Sequence, residues 1–225
     1  MSMELDDFVA TNRPDETGER FELENEKLLD ITVNGTVITK AGAMVAFDGD
    51  LSFAGKSSAE GGLTGFLKET AAKEGTPVME VSGQGHCYVA DQGKEIQLLS
   101  LDDDEAITVN GSDVLAFEDR ISYEIGVTGS LGGVSAAGLT NVLLSGPGTA
   151  AITTHGDPLV LTPPVRTDPD ATVAWSRELS PSVESNRSLS DLVGRSSDER
   201  YQLVFEGERG FIVVQPYEEV ATPGQ

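Results

Sequence analysis

The sequence Met44-Val-Ala-Phe-Asp-Gly-Asp-Leu-Ser-Phe53 occurs in three variants along this 225-residue chain. It aligns without gaps to Val114-Leu-Ala-Phe-Glu-Asp-Arg-Ile-Ser-Tyr123 and resembles Thr172-Val-Ala-Trp-Ser-Arg-Glu-Leu-Ser-Pro181. The copies share an Ala, an aromatic residue, a short polar segment, an aliphatic residue and a Ser. Alternating apolar positions on both sides of the polar segment predict a hairpin or a bent strand in each copy.

The aromatic residue of this motif is Phe47, Phe117 or Trp175, and we predict that the three rings fill equivalent core positions. A second repeated feature is a strand interrupted by a glycine-containing corner. It occurs at Val81–Gly85, Leu144–Gly148 and Phe205–Gly210. Glycine permits the backbone conformations that a tight corner needs, so we interpret these glycines as structural.

Together the motifs predict an all-β fold of three related β-units with minimal helix, at about residues 21–75, 76–140 and 141–220. Further strands are expected where apolar residues recur at the spacing typical of a sandwich or barrel. The expected segments are Leu28–Val33, Thr36–Thr39, Glu95–Leu99, Ala106–Val109 and Leu159–Leu161. Because no long linker separates the units, we expect residues 21–220 to form a single domain.

The two ends of the chain are expected to lie outside this domain, as an acidic N-terminal tail at residues 1–20 and a C-terminal tail at residues 221–225. Leu5, Phe8 and Val9 are spaced to give a short helix near Glu4–Thr11 a small apolar face. A second short helix is expected around Thr64–Lys73. Helix therefore contributes little to the predicted fold.

The charge balance is strongly acidic, with 38 Asp and Glu against 15 Lys and Arg and a formal net charge of −23. Nucleic-acid binding draws its sequence-independent affinity from basic residues placed against phosphates, so we expect no nucleic-acid partner. Anionic membrane surfaces are disfavoured for the same reason. We interpret the charge as adaptation to high salt in preference to an acidic functional patch.

The chain has one cysteine, Cys87, which excludes an internal disulfide and a cysteine-based zinc cluster. The acidic N-terminus lacks the apolar region of a signal peptide and the basic character of a mitochondrial presequence. No run of residues approaches the roughly 18 apolar residues that an integral membrane segment needs. We therefore expect a cytoplasmic protein.

The motifs resemble those of the altered-inheritance-of-mitochondria family, member twenty-four (AIM-type). The residues that carry the resemblance are Ala41–Asp50, Gly61–Lys68 and the Ser-Gly-Gln-Gly and Ser-Gly-Pro-Gly corners, and it covers about residues 21–216. The resemblance implies stacked antiparallel β-sandwich units in a pseudo-threefold arrangement, similar to the tryptophan RNA-binding attenuation protein (TRAP). It implies no known activity and no catalytic residues, and it links eukaryotic members to mitochondrial membrane organisation.

A thiol–imidazole pair is the first candidate for catalysis, with Cys87 as the nucleophile and His86 or His155 as the base. His86 and Cys87 are neighbours in a predicted strand, where adjacent side chains point to opposite faces. His155 lies at a different position relative to its glycine corner, so the repeat does not bring it to Cys87. We expect Cys87 to be an ordinary core residue.

The sequence also argues against metal and phosphate sites. Two histidines are too few for a three-histidine metal site, and Thr154-His-Gly-Asp157 is explained as a turn. Asp102–Glu105 and Asp48–Asp50 lack the ligand spacing of a calcium loop and are expected to be solvated turns. The Gly-rich segments do not open onto a helix with a Lys-Ser or Lys-Thr pair, so no nucleotide site is supported.

The residues therefore predict no catalytic site, no metal and no cofactor. We expect a non-catalytic scaffold or binding protein that acts through a protein partner or through self-association at exposed strand edges. The alternative is a small-ligand or enzymatic site at the pseudo-threefold axis, lined by the glycine corners.

Overall fold

The computed structural model describes residues 2–14, 17–55, 78–127, 130–131, 134–135, 140–185 and 201–218. One short helix, α1 (Leu5–Thr11), precedes antiparallel strands throughout the described part of the chain. The predicted all-β fold with minimal helix is therefore confirmed. The helix predicted around Thr64–Lys73 lies outside the described residues.

The strands form three consecutive groups. The first group is β1 (Phe21–Asn25), β2 (Leu28–Lys40), β3 (Met44–Gly55) and β4 (Val78–Val89). The second group is β5 (Glu95–Leu101), β6 (Ala106–Asn110), β7 (Val114–Glu118), β8 (Ser122–Val127), β9 (Ser130–Leu131), β10 (Val134–Ser135), β11 (Thr140–Ser145) and β12 (Gly148–Thr154). The third group is β13 (Leu159–Leu161), β14 (Val165–Thr167), β15 (Thr172–Ser176), β16 (Ser182–Ser185), β17 (Tyr201–Phe205) and β18 (Ile212–Val214). Single 3₁₀ turns at Gly111–Asp113 and Pro169–Ala171 lead into β7 and β15.

These strands pair into three main sheets in the described part of the chain. The first has the order β3-β4-β2-β7-β12-β5, with β1 paired to β2. The second has the order β8-β11-β6-β15-β18-β13, and the third contains only β16-β17-β14. The strands β9 and β10 form a separate short hairpin.

The three motif copies pair with their glycine-corner strands in the same register. Phe47 lies opposite Cys87, Phe117 opposite Ala150, and Trp175 opposite Ile212. Each pairing has a register shift that skips the same motif position, which is Val45, Leu115 or Val173. A β-bulge at one equivalent position in three strands supports the three-unit interpretation.

The same pairings move the unit boundaries. The predicted division after residue 75 separates β3 from β4, although these strands are hydrogen-bonded along most of their length. The predicted division after residue 140 likewise cuts β11, which pairs with β6 and β8. We therefore define the first unit as β1–β4, the second as β5–β12 and the third as β13–β18.

Adjacent units are joined by one strand-to-strand pairing each. The strand β2 of the first unit pairs with β7 of the second, with Ile38 opposite Phe117. The strand β6 of the second unit pairs with β15 of the third, with Thr108 opposite Trp175. At each junction, the strand that precedes one copy of the motif pairs with the strand that carries the aromatic residue of the next copy.

The core has three apolar clusters, one for each unit. The first core includes Leu29, Ile31, Val33, Val81 and Cys87, and the second includes Val109, Val114, Phe117, Val142 and Leu144. The third core is smaller and consists of Trp175, Leu179, Leu203, Phe205 and Ile212.

One predicted core position is wrong. Phe117 and Trp175 are 0% and 3% exposed, whereas Phe47 is 48% exposed. The reason lies in the sheet order, because β7 and β15 are interior strands while β3 ends its sheet. The apolar face of α1 is also exposed, at Leu5, Phe8 and Val9.

The segment Asp48–Asp50 is not the solvated turn expected from its charges, because β3 continues through it and pairs with β4 on both sides. Of the two conformations that the motif predicts, this pairing excludes the hairpin. Gly49 has φ = +81°, and a side chain there would clash with the carbonyl oxygen of Gln84 and lie 2.7 Å from the Cα of Gly85. The two strands cross so closely at this point that glycine is required. In the first glycine corner, Gly83 and Gly85 also have positive φ, and a side chain at either would clash with the backbone of Asp50 or Asp48, so these two glycines are structural as predicted.

Candidate functional site

The first half of β3 is an exposed strand that carries apolar side chains. We call residues 44–50 the first-unit edge. All seven residues are exposed, and Val45 reaches 62%. The equivalent residues of β7 and β15 are buried along their whole length. The same motif therefore forms core in two units and surface in one.

A buried carboxylate pairs with a histidine beside this edge. Nδ1 of His86 lies 3.0 Å and 3.1 Å from the two carboxylate oxygens of Asp30, and the side chain of Asp30 is only 4% exposed. Burial raises the pKa of Asp30, and the hydrogen bond and charge of His86 oppose that rise. The backbone N–H of His86 also donates to the carboxylate of Asp48, at 3.3 Å.

Tyr88 follows His86 on the same face of β4, with the two rings stacked at 6.3 Å between centroids. Burial raises the pKa of the Tyr88 hydroxyl, and the charges of Asp30, Asp48 and Glu24 raise it further. Asp30, His86 and Tyr88 thus form a polar group next to the first-unit edge, in which the carboxylate of Asp30 orients the imidazole of His86. Sequence reasoning singled out His86 but missed Asp30, which carries no local signal because the two residues are far apart in the chain.

Cys87 is a core residue, as the alternation of strand side chains predicts. It is fully buried in the first core, and burial, with a smaller contribution from the charge of Asp30, raises its pKa to about 11. His155 lies in different surroundings, where its ring packs at 4.3 Å from that of Tyr217 and its backbone N–H donates to the side chain of Gln215. The arrangement offers no activated thiol.

Hydrogen bonds between Asp102 and Glu105 hold the acidic turn Asp102–Glu105 together. The carboxylate of Glu105 accepts the N–H of Asp102 at 2.9 Å, and the N–H of Glu105 donates to the carbonyl of Asp102 at 3.1 Å. Its four residues are exposed. The residues that the structure describes contain no group of three or more His, Cys, Asp or Glu side chains arranged to hold a metal ion.

Two lysine–carboxylate pairs lie largely inside the fold near the junction of the first and second units, and sequence reasoning missed both. Nζ of Lys94 lies 2.7 Å from Asp113, and Nζ of Lys40 lies 2.7 Å from Asp91 and 2.6 Å from the carbonyl of Ser112. Both pairs surround the 3₁₀ turn before β7. Their position inside the fold makes them structural.

A further buried charge is Glu118, at the end of β7. Burial alone would raise its pKa, but the N–H of Thr149 and the guanidinium groups of Arg120 and Arg20 lower it below its ordinary value. Arg20 also donates to the carbonyl of Thr36 at 2.6 Å. This network fastens the start of the first unit to the second unit.

A cleft of about 750 Å³ lies between the outer strands of the first and second sheets. Leu99, Ile152 and Val213 contribute apolar wall, and Arg177 and Glu178 are charged lining residues. The corners at 81–85 and 144–148 do not line this cleft, which therefore differs from the axial pocket expected from the sequence. Its walls come from strands that are distant in the chain, so periodicity alone could not locate it.

The fold and its exposed surface define a class of protein built from stacked antiparallel β-sandwich units, with an unpartnered strand edge in the part that the structure describes. A family model described as mitochondrial biogenesis AIM24 matches residues 21–217. The chain belongs to this family, which confirms the resemblance found in its motifs.

A similar fold is present in an X-ray crystal structure of a protein from Streptococcus pyogenes. The two chains are 20% identical, the TM-score is 0.65, and the match covers 88% of this chain and 92% of the other. A search of curated proteins found no significant match. Among the described residues, no helix has the length and apolar character needed to cross a membrane.

Proposed function

We propose that this chain is a non-catalytic scaffold that acts through protein–protein contacts, and that the first-unit edge is its contact surface. One observation carries the proposal: the motif strand is buried in the second and third units and exposed in the first. Met44, Val45 and Phe47 together present apolar side chains beside strand-edge backbone groups. An exposed strand of this kind is a template for adding another strand.

The surroundings of the edge favour recognition over chemistry. His86 is held by Asp30, and the thiol of Cys87 is buried with a raised pKa, so no nucleophile is paired with this base. The family description concerns mitochondrial biogenesis. For this chain we propose an organising role in the cytoplasm, in an assembly that is related to membrane organisation.

A photo-crosslinking experiment tests the contact surface. A photoreactive amino acid replaces Phe47 in one variant and Val160 in the control, because Val160 is also an exposed apolar residue and lies on another outer strand, β13. Irradiation in a lysate at native salt should produce discrete protein adducts from position 47 and few from position 160. Equal adduct patterns, or none from either position, would contradict the proposal.

A small-ligand binder is a second candidate function, favoured by the 750 Å³ cleft. Its apolar walls with Arg177 and Glu178 suit a mainly apolar molecule that carries a polar group. Native mass spectrometry of the purified protein should then show an added mass that is lost in the space-filling variant Leu99→Trp, at a partly buried lining residue. An unliganded mass in both proteins would remove this candidate.

A further inference from the structure

The two long sheets of the described chain are built by the same rule. When the strand order β3-β4-β2-β7-β12-β5 is aligned with the order β8-β11-β6-β15-β18-β13, each strand of one sheet corresponds to one strand of the other. In each sheet three strands of one unit are continued by three strands of the next unit. The third sheet contains only the first three strands of this order, β16-β17-β14, in the described chain.

The strand that ends the third sheet matches the strands that make the two junctions. Ile38 of β2 lies opposite Glu80, Thr108 of β6 opposite Leu143, and Arg166 of β14 opposite Val204. These three pairs occupy the same place relative to the motif and to the glycine corner. On their other side, β2 and β6 pair with the next motif strand, whereas β14 has no such partner in the described chain.

The packing at the junctions follows the same rule. Leu115, Ala116 and Ala151 of the second unit pack into the first core, and Val173, Ala174 and Val213 of the third unit pack into the second core. The equivalent residues of the first unit are Val45, Ala46 and Tyr88. Val45 and Ala46 are exposed, and Tyr88 is half-buried. The third core contains residues of the third unit alone.

We propose that a second copy of this chain completes the missing junction. The strand β14 of one copy pairs antiparallel with the first-unit edge of the next copy, in the register of the two internal junctions. Arg166 then lies opposite Phe47, Thr167 opposite Ala46, and Val165 opposite Asp48. This inference rests on the proposed function and names the partner that the contact surface takes.

The side chains at this contact suit each other. Arg166 is exposed and would lie over the ring of Phe47, where its guanidinium gives a cation–π attraction. Val45 would enter the third core, as Leu115 and Val173 enter the cores before it. The two contact surfaces differ, so the association is head-to-tail and gives a ring or an open chain of copies.

Mixing two single-cysteine proteins tests the register, in a Cys87→Ala background that leaves no other thiol. One protein carries Phe47→Cys and the other Arg166→Cys, both at exposed positions where substitution spares the core. A short thiol crosslinker at high salt should give a dimer of the two different proteins. The matched control mixes Phe47→Cys with Val160→Cys and should give at least tenfold less dimer.

The remaining outcomes separate this inference from the proposed function. A protein carrying both cysteines that crosslinks only within one chain would overturn self-association and show that the edge closes on its own β14. Absence of the dimer, with photo-adducts from position 47 to other proteins, would also overturn it while the proposed function stands. Absence of both the dimer and the adducts would overturn the two together.

Discussion

At the scale of single residues, Cys87 shows how burial decides reactivity. Its thiol lies in the first core, and burial raises its pKa to about 11. At pH 7 a thiol with that pKa is ionised in only about one molecule in ten thousand. We expect no labelling of the folded protein by a thiol reagent and stoichiometric labelling after denaturation. Rapid labelling of the folded protein would contradict the buried position.

Glu118 is a residue whose charge supports the fold. Its pKa is lowered in the folded state, so its contribution to the free energy of unfolding is present above its ordinary pKa of 4.5 and is lost as the pH falls through the folded value. Glu118→Gln should reduce the free energy of unfolding at neutral pH by about 1–3 kcal/mol. Urea denaturation measures this change.

The pH dependence of the same variant provides the check. The difference in unfolding free energy between wild type and Glu118→Gln should shrink as the pH falls below 4.5, where the unfolded carboxyl takes up a proton, and vanish below the lowered pKa of the folded state. Glu124→Gln, on the exposed face of β8, is the control and should change stability little. A constant difference across the acid range would show that the charge of Glu118 is not the cause.

At the scale of strands, the bend in β3 depends on a glycine for two separate reasons. Gly49 has a positive φ, and its Cα faces the backbone of β4. Gly42 has a similar φ of +87°, but no atom lies within 4 Å of the place that a Cβ would take, so this glycine isolates the conformational cost. That cost is about 1–2 kcal/mol for Ala.

We therefore expect Gly42→Ala to lower the free energy of unfolding by about 1–2 kcal/mol. Gly49→Ala should lower it further, because the added methyl group also forces β3 and β4 apart. Chemical denaturation of both variants gives the comparison. Equal losses for the two substitutions would mean that the close approach of the strands does not constrain this position.

Much of this element-level structure was predictable, and the failures have a common cause. The alternation of apolar residues identified the motif strands, and the two segments expected at 28–33 and 36–39 are parts of β2. The same alternation predicted that Phe47 lies in the core, whereas its side chain is exposed. Alternation shows that a strand has an apolar face, but not whether another strand covers it. The pairs of Lys94 with Asp113 and His86 with Asp30 likewise depend on contacts that spacing does not encode.

At the scale of the whole molecule, the net charge predicts that stability depends on salt. A formal charge of −23 repels itself over a Debye length of about 30 Å at 0.01 M salt and about 3 Å at 1 M. We expect the melting temperature to rise between these salt concentrations. Calorimetry in KCl measures it, and an unchanged melting temperature would exclude adaptation to salt as the role of the acidic surface.

Pairing between the first-unit edge and a second copy produces oligomers, which sedimentation velocity at about 1 M KCl detects. Lysine at position 45 would place a charge where Leu115 and Val173 are buried in the other units. Wild type and Val160→Lys should sediment as concentration-dependent oligomers, and Val45→Lys as a monomer. A wild type that is monomeric at all concentrations, or oligomers that persist in Val45→Lys, would contradict pairing at the first-unit edge.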